Sequence, residues 1–237
     1  MPSNTEAALR DQLVVAGRIL AREGHEHLVF GHVSARSGNE ILVKPAHLGL
    51  GELTPSDVVV TDMLGERIRG TGPLHGEMVI HTAILGTRPD VHAVVHTHPP
   101  GALRLSILAS HGWDDAVAFT QDELPFLHAV GRYDDPDLVM SVQQGARLAA
   151  ALSAGRAVLL ANHGIVTVGA SVIEAVVRAV LFERGARTRL ALVARSSESP
   201  VPTQIVTSVA ESMAAHQERQ QPNRDNRLWE YLARRAG

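Results

Sequence analysis

The ten residues Val91–Pro100 constrain this chain more than any other stretch. They read VHAVVHTHPP: an apolar run enters His96-Thr97-His98, and two prolines end the segment. Because successive side chains of a strand point to opposite faces, His96 and His98 are predicted to lie on one face of a strand. Two imidazoles on one face at a strand end suit a divalent metal ion. Taken alone, such a pair is more often two ordinary histidines.

The composition is typical of one globular domain. The chain has 237 residues, of which 45% are hydrophobic and only 3% aromatic, so the core is predicted to consist mainly of Val, Leu, Ile and Ala. It contains no linker-like segment and no change of composition, which favours a single domain over residues 1–237. The absence of cysteine excludes disulfides and leaves His, Asp and Glu as ligands for any transition metal.

Charge and hydropathy narrow the class of partner. The net charge is −3 with histidine neutral, and the chain has no basic stripe, which argues against a nucleic-acid partner. The N-terminus lacks a signal-peptide core, and no apolar run approaches the roughly 20 residues that cross a bilayer. We therefore expect a cytoplasmic protein that acts on a small molecule and has no membrane partner.

Hydrophobic periodicity predicts a mixed α/β chain. After an N-terminal helix over 6–23, short strands are joined by tight turns, which predicts antiparallel pairing. Further helices are predicted over 77–85 and 172–195, with a C-terminal helical tail over about 203–237. The region 110–140 holds half of the chain's aromatic residues and is predicted to wall a pocket. Strands are predicted over 31–36, 41–45, 58–62, 157–161 and 165–169.

Two further groups extend the histidine pair. His163 closely follows the apolar run AVLLA and precedes Gly164, where another backbone can approach. Glu77 begins a helix after a glycine-rich loop. Three neutral imidazoles bind Zn²⁺, Mn²⁺, Fe²⁺ or Co²⁺ and leave positions open for a substrate, and a carboxylate beside the ion acts as a ligand or a proton carrier. Each group also has an ordinary explanation, as a turn histidine and as a first-turn helix acid.

The sequence stretches that carry these residues, in this order, resemble those of the class II aldolase/adducin family. The matching stretches cover most of the first 170 residues, and their combination is highly specific. They are GHVSAR at 31–36, KPAHLGLGELTPSDVVVTD at 44–62, GPLHGEMVIHTAIL at 72–85, VHAVVHTHPP at 91–100 and LLANHGIVTVG at 159–169.

The resemblance implies a single three-layer α/β/α domain with a central, largely antiparallel sheet. It implies that His96, His98 and His163 bind one divalent metal ion per subunit and that Glu77 is the catalytic acid or base. It also implies a homotetramer with active sites at subunit interfaces. Adducin-like members lack the metal-binding histidines, so this chain, which has all three, resembles the enzymes of the family.

Two departures from the sugar-phosphate members bear on the substrate. Where those members have glycine-asparagine in the first motif, this chain has Gly31-His32. Where they have two serines that hold the phosphate, it has His75-Gly76, and glycine offers no side-chain donor. The pattern resembles instead the decarboxylase branch of the family, which removes CO₂ from hydroxylated aromatic dicarboxylates such as dihydroxyphthalate.

We therefore expect a metal-dependent lyase of aromatic catabolism that decarboxylates such a compound. Glu77 and His75 are the candidate catalytic residues, with Glu77 as the proton donor and His75 or His81 as a relay. Four residues are predicted to bind the carboxylates and phenolic oxygens of the substrate: His32, Ser34, Arg36 and Lys44.

Two other functions remain open at this point. An aldolase or epimerase acting on a sugar or another hydroxy-carbonyl compound, phosphorylated or not, would use the same residues on a different substrate. A metal-binding scaffold without catalysis would belong to another class. Retro-aldol activity on sugar phosphates would favour the first, and metal binding without any turnover would favour the second.

Overall fold

A computed structural model describes residues 5–108, 113, 116–195 and 207–237. Within these ranges the chain forms strands, helices and two short 3-10 segments, Leu50–Glu52 and Gln121–Phe126. The strands are β1 His32–Ser37, β2 Glu40–Val43, β3 Val59–Asp62, β4 Arg67–Arg69, β5 Ala93–Thr97, β6 Val130–Tyr133, β7 Ala157–Leu160 and β8 Gly164–Gly169. The helices are α1 Glu6–Arg22, α2 Met78–Thr87, α3 Pro100–Ile107, α4 Val142–Leu152, α5 Val172–Arg195, α6 Thr207–Arg219 and α7 Gln221–Ala236.

These strands form one sheet in the order β4-β3-β2-β1-β5-β8-β7-β6. Neighbouring strands are antiparallel except for β6 and β7, which are parallel. The prediction of an α/β fold with a largely antiparallel sheet is therefore confirmed. The order places β5 between β1 and β8, so the strand that carries His96 is held by a hydrogen-bonded neighbour on each side.

Alternate residues of the central strands belong to different hydrophobic clusters. Leu42 and Val95 join a cluster with residues of α1, α5 and α7. Their neighbours Val43 and Val94 join another cluster with residues of α2 and α4. This alternation follows from the period of two in a strand. Because residues on both faces are buried, β2, β7 and β8 are nearly continuous apolar runs, whereas β1 alternates polar and apolar residues.

The two helices that the sequence predicts most clearly form with small changes at their ends. Helix α2 begins one residue after Glu77, which is its N-cap, and continues to Thr87. Helix α5 spans Val172–Arg195, as predicted. Two hydrogen bonds cap its N-terminus. The Glu174 amide donates to Ser171 Oγ at 3.2 Å, and the Glu174 carboxylate accepts from the Ala170 amide at 2.6 Å.

The C-terminal tail is helical, as predicted, over the part that the structure describes. It consists of α6 and α7, and a proline in the first turn of α7 separates the two helices. Leu232 of α7 is buried in the cluster that contains α1 and α5 residues, so the tail packs on its own chain. None of the helices described here is both long and apolar enough to cross a membrane.

Candidate metal centre

Four side chains from three separate segments converge at one end of β5. They are Glu77, His96, His98 and His163, and each contributes one nitrogen or oxygen atom to a group in which all atoms lie within 4.8 Å of one another. His96 lies in β5, His98 directly follows it, His163 lies between β7 and β8, and Glu77 precedes α2. The structure therefore brings together the four residues that the sequence predicts as metal ligands and proton carrier.

His96 is oriented by the neighbouring strand. It is fully buried, and its Nδ1 donates to the carbonyl oxygen of Ile165 in β8 at 3.1 Å. A ring that donates from Nδ1 presents the lone pair of Nε2 on its other side. That Nε2 lies 3.1 Å from His98 Nε2, so two ring nitrogens face each other inside the cluster.

His163 reaches the cluster through a tight turn. The preceding Asn162 has a φ of 56°, a left-handed conformation that asparagine tolerates better than most residues. The following Gly164 lies against the end of β5, where a Cβ atom would be 2.5 Å from the carbonyl oxygen of Thr97 and 2.9 Å from His98 Cδ2. Position 164 therefore requires glycine because the backbone approaches β5 so closely.

Glu77 is held by both of its carboxylate oxygens. Oε1 accepts from the Val139 amide at 3.0 Å, and Oε2 lies 3.6 Å from His96 Nε2 and from His163 Nε2. Burial raises the pKa of Glu77, but the His163 and His96 rings beside its Oε2 outweigh it and hold the pKa below its ordinary value. Glu77 is therefore ionised at neutral pH in this arrangement.

The donor set fits a divalent metal ion. Ligands at about 2.0–2.2 Å in a tetrahedral arrangement lie roughly 3.3–3.6 Å from one another. The separations seen here, 3.1 Å between His96 and His98 and 3.6 Å from Glu77 to two histidines, are close to that range. His98 Nδ1 is buried and lacks a partner within the described residues. Three imidazoles and one carboxylate would suit Zn²⁺, Mn²⁺, Fe²⁺ or Co²⁺.

Three more histidines form a group beside the cluster, in which His32 and His81 are buried and His75 is half-buried. The ring centroid of His32 lies 5.0 Å from that of His96, 4.2 Å from that of His75 and 4.8 Å from that of His81. Burial lowers the pKa of His75 and of His81 to about 3, and it holds the pKa of His32 well below its ordinary value. These rings are therefore neutral at physiological pH. Ser34 is also buried there and hydrogen-bonds His81.

Arg36 does not reach the cluster. Its guanidinium donates from Nε to the Val91 carbonyl at 3.3 Å and from Nη2 to the Leu85 carbonyl, in the last turns of α2. Glu77 precedes the first turn of the same helix, about 12 Å away at 1.5 Å per residue. This position argues against the predicted role of Arg36 in binding substrate. The residue instead satisfies carbonyl groups around the C-terminal end of α2.

Lys44, the only lysine in the chain, is fully buried. Its Nζ donates to the carbonyl oxygens of Val29, at 3.2 Å, Pro45, at 2.9 Å, and Leu48. All three donors of the ammonium group are therefore used by the backbone. Within the described residues, Lys44 therefore has no donor left over for the substrate carboxylate that the sequence predicts it to bind. Its position indicates that it holds together the loops on either side of β1 and β2.

Exposed apolar residues flank the cluster, and sequence reasoning missed them. The ring of His27 lies 6.0 Å from that of His98 and 5.8 Å from that of Phe30. Leu28 and Phe30 are 72% and 51% exposed. On the other side, next to the Val139 amide that binds Glu77, Met140 is 59% exposed. The left-handed φ of 53° at Leu28 has no sequence signal comparable to glycine or asparagine.

Three aromatic residues of the region 110–140 pack in the core rather than at this site. Trp113 stacks on Phe182 of α5 with ring centroids 4.1 Å apart, and Phe126 packs edge-on against both. Tyr133 is buried in the hydrophobic core between the sheet and helices α2 and α4. The prediction that these residues wall a pocket is therefore wrong for these three: they belong to the core. Residues 109–112, 114 and 115 lie outside the described ranges.

Comparison with known proteins agrees with this geometry. The family described as "Class II Aldolase and Adducin N-terminal domain" matches residues 11–190. The chain is 33% identical over 187 residues to the 3,4-dihydroxyphthalate decarboxylase of Arthrobacter keyseri, covering 74% of this chain and 75% of that protein. It is 32% identical over 178 residues to the 5-methylthioribulose-1-phosphate/5-deoxyribulose-1-phosphate aldolase of Rhodospirillum rubrum, covering 74% and 77%.

A solved structure gives the same result for the fold. The aldolase II superfamily protein from Pseudomonas syringae superposes with a TM-score of 0.86 at 26% identity, over 100% of this chain and 94% of that one. The match over residues 11–190 includes β1 to β8, α2 and all four residues of the cluster. The chain therefore belongs to the class II aldolase and adducin family.

Proposed function

We propose that this protein is a divalent-metal-dependent carboxy-lyase that removes CO₂ from a hydroxylated aromatic dicarboxylate similar to dihydroxyphthalate. The observation that carries the proposal is the position of Glu77, whose Oε2 lies 3.6 Å from two of the three clustered histidines. A carboxylate held there can exchange a proton with a substrate that the same metal ion binds. The decarboxylase from Arthrobacter keyseri, at 33% identity, supports this choice of reaction.

The surroundings of the cluster favour an aromatic substrate over a sugar phosphate. Gly76 has no side chain to hold a phosphate, and Met140 fills the space, because a Cβ at 76 would lie 2.8 Å from Met140 Cε. The cationic groups of Lys44 and Arg36 are used by backbone carbonyls. The exposed side chains of Leu28 and Phe30 instead offer apolar surface for a ring.

The metal ion would be held by His96, His98 and His163, with Glu77 beside it. When bound, it would supply a positive charge that stabilises negative charge developing on a substrate oxygen. The ionised Glu77 would accept the proton of the phenolic hydroxyl at Oε2 and then donate it to the ring carbon that bears the departing carboxylate. His75, neutral and next to His32, would help to carry that proton.

Loss of CO₂ then completes the reaction. The electron pair of the broken C–C bond returns to the ring, which restores aromaticity, and the phenolate oxygen regains a proton from water. The net change consumes one proton, releases one CO₂ and leaves a hydrogen on the vacated carbon. Neutral hydrogen-bond donors such as His32 would orient the carboxylate that remains, since the two cationic side chains point elsewhere.

An aldolase reaction is the second candidate. The aldolase from Rhodospirillum rubrum is 32% identical to this chain, almost as similar as the decarboxylase. Retro-aldol cleavage requires the same base and the same stabilisation of charge on an oxygen. The absence of a side chain at Gly76 makes a phosphorylated sugar the less favoured substrate.

The arrangement of the domain and of the subunits follows the same family pattern. We propose one domain over residues 1–237 with three layers, supported by the two hydrophobic clusters in which strand residues alternate. We also propose a cytoplasmic homotetramer with its sites at subunit interfaces. The exposed apolar residues beside the cluster, such as Leu28 and Met140, would then lie near a second copy of the chain.

A substrate panel tests the reaction class. The protein is reconstituted with Zn²⁺, Mn²⁺, Fe²⁺ or Co²⁺ and incubated separately with hydroxylated aromatic dicarboxylates and with sugar phosphates. We expect CO₂ release from a dicarboxylate that stops when a chelator is added, and no cleavage of the sugar phosphates. Aldehyde formation from a sugar phosphate, without CO₂ from any aromatic acid, would replace the carboxy-lyase with the aldolase.

A further inference from the structure

Ser34, His81 and His32 form a continuous chain of hydrogen bonds. Ser34 Oγ lies 2.6 Å from His81 Nδ1, and His81 Nε2 lies 2.6 Å from His32 Nδ1. Ser34 and His81 are completely buried, and His32 is 2% exposed. Ser34 and His32 are two residues apart on β1 and point to the same face, so one ring of α2 can bond both.

The direction of these hydrogen bonds follows from what each group can donate. A neutral imidazole has one N–H donor and one acceptor nitrogen. Within the described part of the chain, the contact of Ser34 Oγ is His81, so an accepting Ser34 would leave its own O–H buried without an acceptor. A buried O–H without an acceptor is strongly disfavoured. Ser34 therefore donates to His81 Nδ1, and His81 donates from Nε2 to His32 Nδ1.

We infer that Ser34 and His81 fix His32 in the tautomer that carries its proton on Nε2, and that this N–H binds an oxygen of the substrate. His32 Nδ1 is occupied as an acceptor, so Nε2 is the nitrogen left to donate. The ring lies between His75 and His96, with centroid distances of 4.2 and 5.0 Å. The second half of this inference rests on the proposed function, because it assigns the donor to a carboxylate or phenolate oxygen.

The facing histidine has the opposite tautomer. His96 pairs with His32 across β1 and β5, and its Nδ1 donates to the Ile165 carbonyl, which leaves a lone pair on Nε2. A lone pair can bind a metal ion, whereas an N–H can bind an anionic oxygen. The tautomer of His96 is therefore suited to binding the metal ion, and that of His32 to binding the substrate. Ser34 and His81 are positioning residues in this scheme.

The tautomers can be measured directly without any substrate. The full-length protein is labelled with ¹⁵N-histidine and examined by long-range ¹H–¹⁵N correlation, both loaded with Zn²⁺ and metal-free. His32→Phe assigns the His32 ring in both samples, and His96→Ala assigns the His96 ring in the metal-free one. We expect His32 to be protonated on Nε2 and His96 on Nδ1. Protonation of His32 on Nδ1 would overturn the inference.

Kinetics test whether that N–H binds substrate. Ser34→Ala removes the donor that fixes the direction of the hydrogen bonds from Ser34 through His81 to His32. We therefore expect KM for 3,4-dihydroxyphthalate to rise roughly 10–100-fold, with a smaller change in kcat and unchanged metal content. Ser34→Thr keeps the hydroxyl and should restore KM. A Ser34→Ala variant with wild-type KM overturns the role of the Ser34–His81–His32 hydrogen bonds in substrate binding. If the wild-type protein does not turn over dihydroxyphthalate while His32 keeps its Nε2 proton, the proposed function fails and the tautomer assignment stands.

Discussion

His32 and His96 lie directly opposite each other on β1 and β5, with their ring centroids 5.0 Å apart. Each ring is fixed by a different hydrogen bond, His32 by His81 and His96 by the Ile165 carbonyl. A shift of the β1–β5 register by one residue would move His32 to the other face of the sheet. The site therefore depends on strand register as much as on the identity of its residues.

Removal of one clustered histidine tests the metal centre. We expect His96→Ala to lose bound metal and activity together, because two imidazoles and a carboxylate bind the ion far more weakly than four groups. Metal content by mass spectrometry and CO₂ release are measured on the same sample. His92→Ala is the matched control, since His92 precedes the same strand but is exposed. Full metal occupancy in His96→Ala would refute the assignment.

Glu77→Gln separates proton transfer from metal binding. Glutamine keeps the oxygen that accepts from the Val139 amide but cannot exchange a proton at Oε2. We expect turnover to fall by about 10²–10⁴-fold while the three histidines retain the metal ion. Near-normal turnover would exclude Glu77 as the proton carrier, and loss of the metal would show that Glu77 acts chiefly as a ligand.

Gly164→Ala tests the close approach of the β7–β8 turn to β5. The new Cβ would lie 2.5 Å from the Thr97 carbonyl oxygen, so the turn must shift and carry His163 with it. We expect the free energy of unfolding in urea to fall by about 1–3 kcal/mol and metal affinity to decrease. Gly86→Ala is the control: its Cβ would meet nothing within 4 Å in α2, and it should be neutral or slightly stabilising.

The titration of Lys44 tests its burial. Burial lowers the pKa of Lys44 from 10.5 to about 8. Between those two values the unfolded chain holds a proton that the folded chain has lost, so this residue makes stability rise with pH over that window. Because Lys44 is the only lysine, labelling with ¹³C-lysine gives one side-chain signal, and its midpoint should fall near pH 8. A midpoint near 10.5 would contradict the buried position.

Unfolding experiments provide a second measurement of the same residue. Lys44→Met removes the titrating group, so its free energy of unfolding should lack the part of the pH dependence that Lys44 causes between pH 8 and 10.5. An identical pH dependence in the variant and the wild-type protein would exclude a depressed pKa.

Much of the fold could be predicted from local patterns. Helix α5 has the predicted limits, and β5 and β8 follow from short apolar runs bounded by turns. Strand β4 was not predicted, because Arg67-Ile68-Arg69 is short, exposed and charged. It forms only because β3 offers an edge and because Arg69 pairs with Glu40 on β2.

The residues of the site could be predicted only from their spacing along a strand or from the resemblance to the family. The period of two in a strand predicts that His96 and His98 lie together. The prediction for Arg36 rests on the chemistry of its side chain and takes no account of its distance from His32 along β1. Four residues of a strand span about 13 Å, so Arg36 lies beyond the site. The bond between Ser34 and His81 joins β1 to α2, and no local pattern predicts which side chains meet between two such elements.

The most direct test of the account is the reaction of the metal-loaded protein with 3,4-dihydroxyphthalate in D₂O. We predict that CO₂ and a monocarboxylic product form in equal amounts, that the product carries one deuterium on the vacated ring carbon, and that a chelator stops both. Deuterium at that carbon would show that an exchangeable proton replaces the carboxylate, as delivery by Glu77 requires. An unchanged aromatic acid, together with retro-aldol cleavage of a sugar phosphate by the same preparation, would contradict the account.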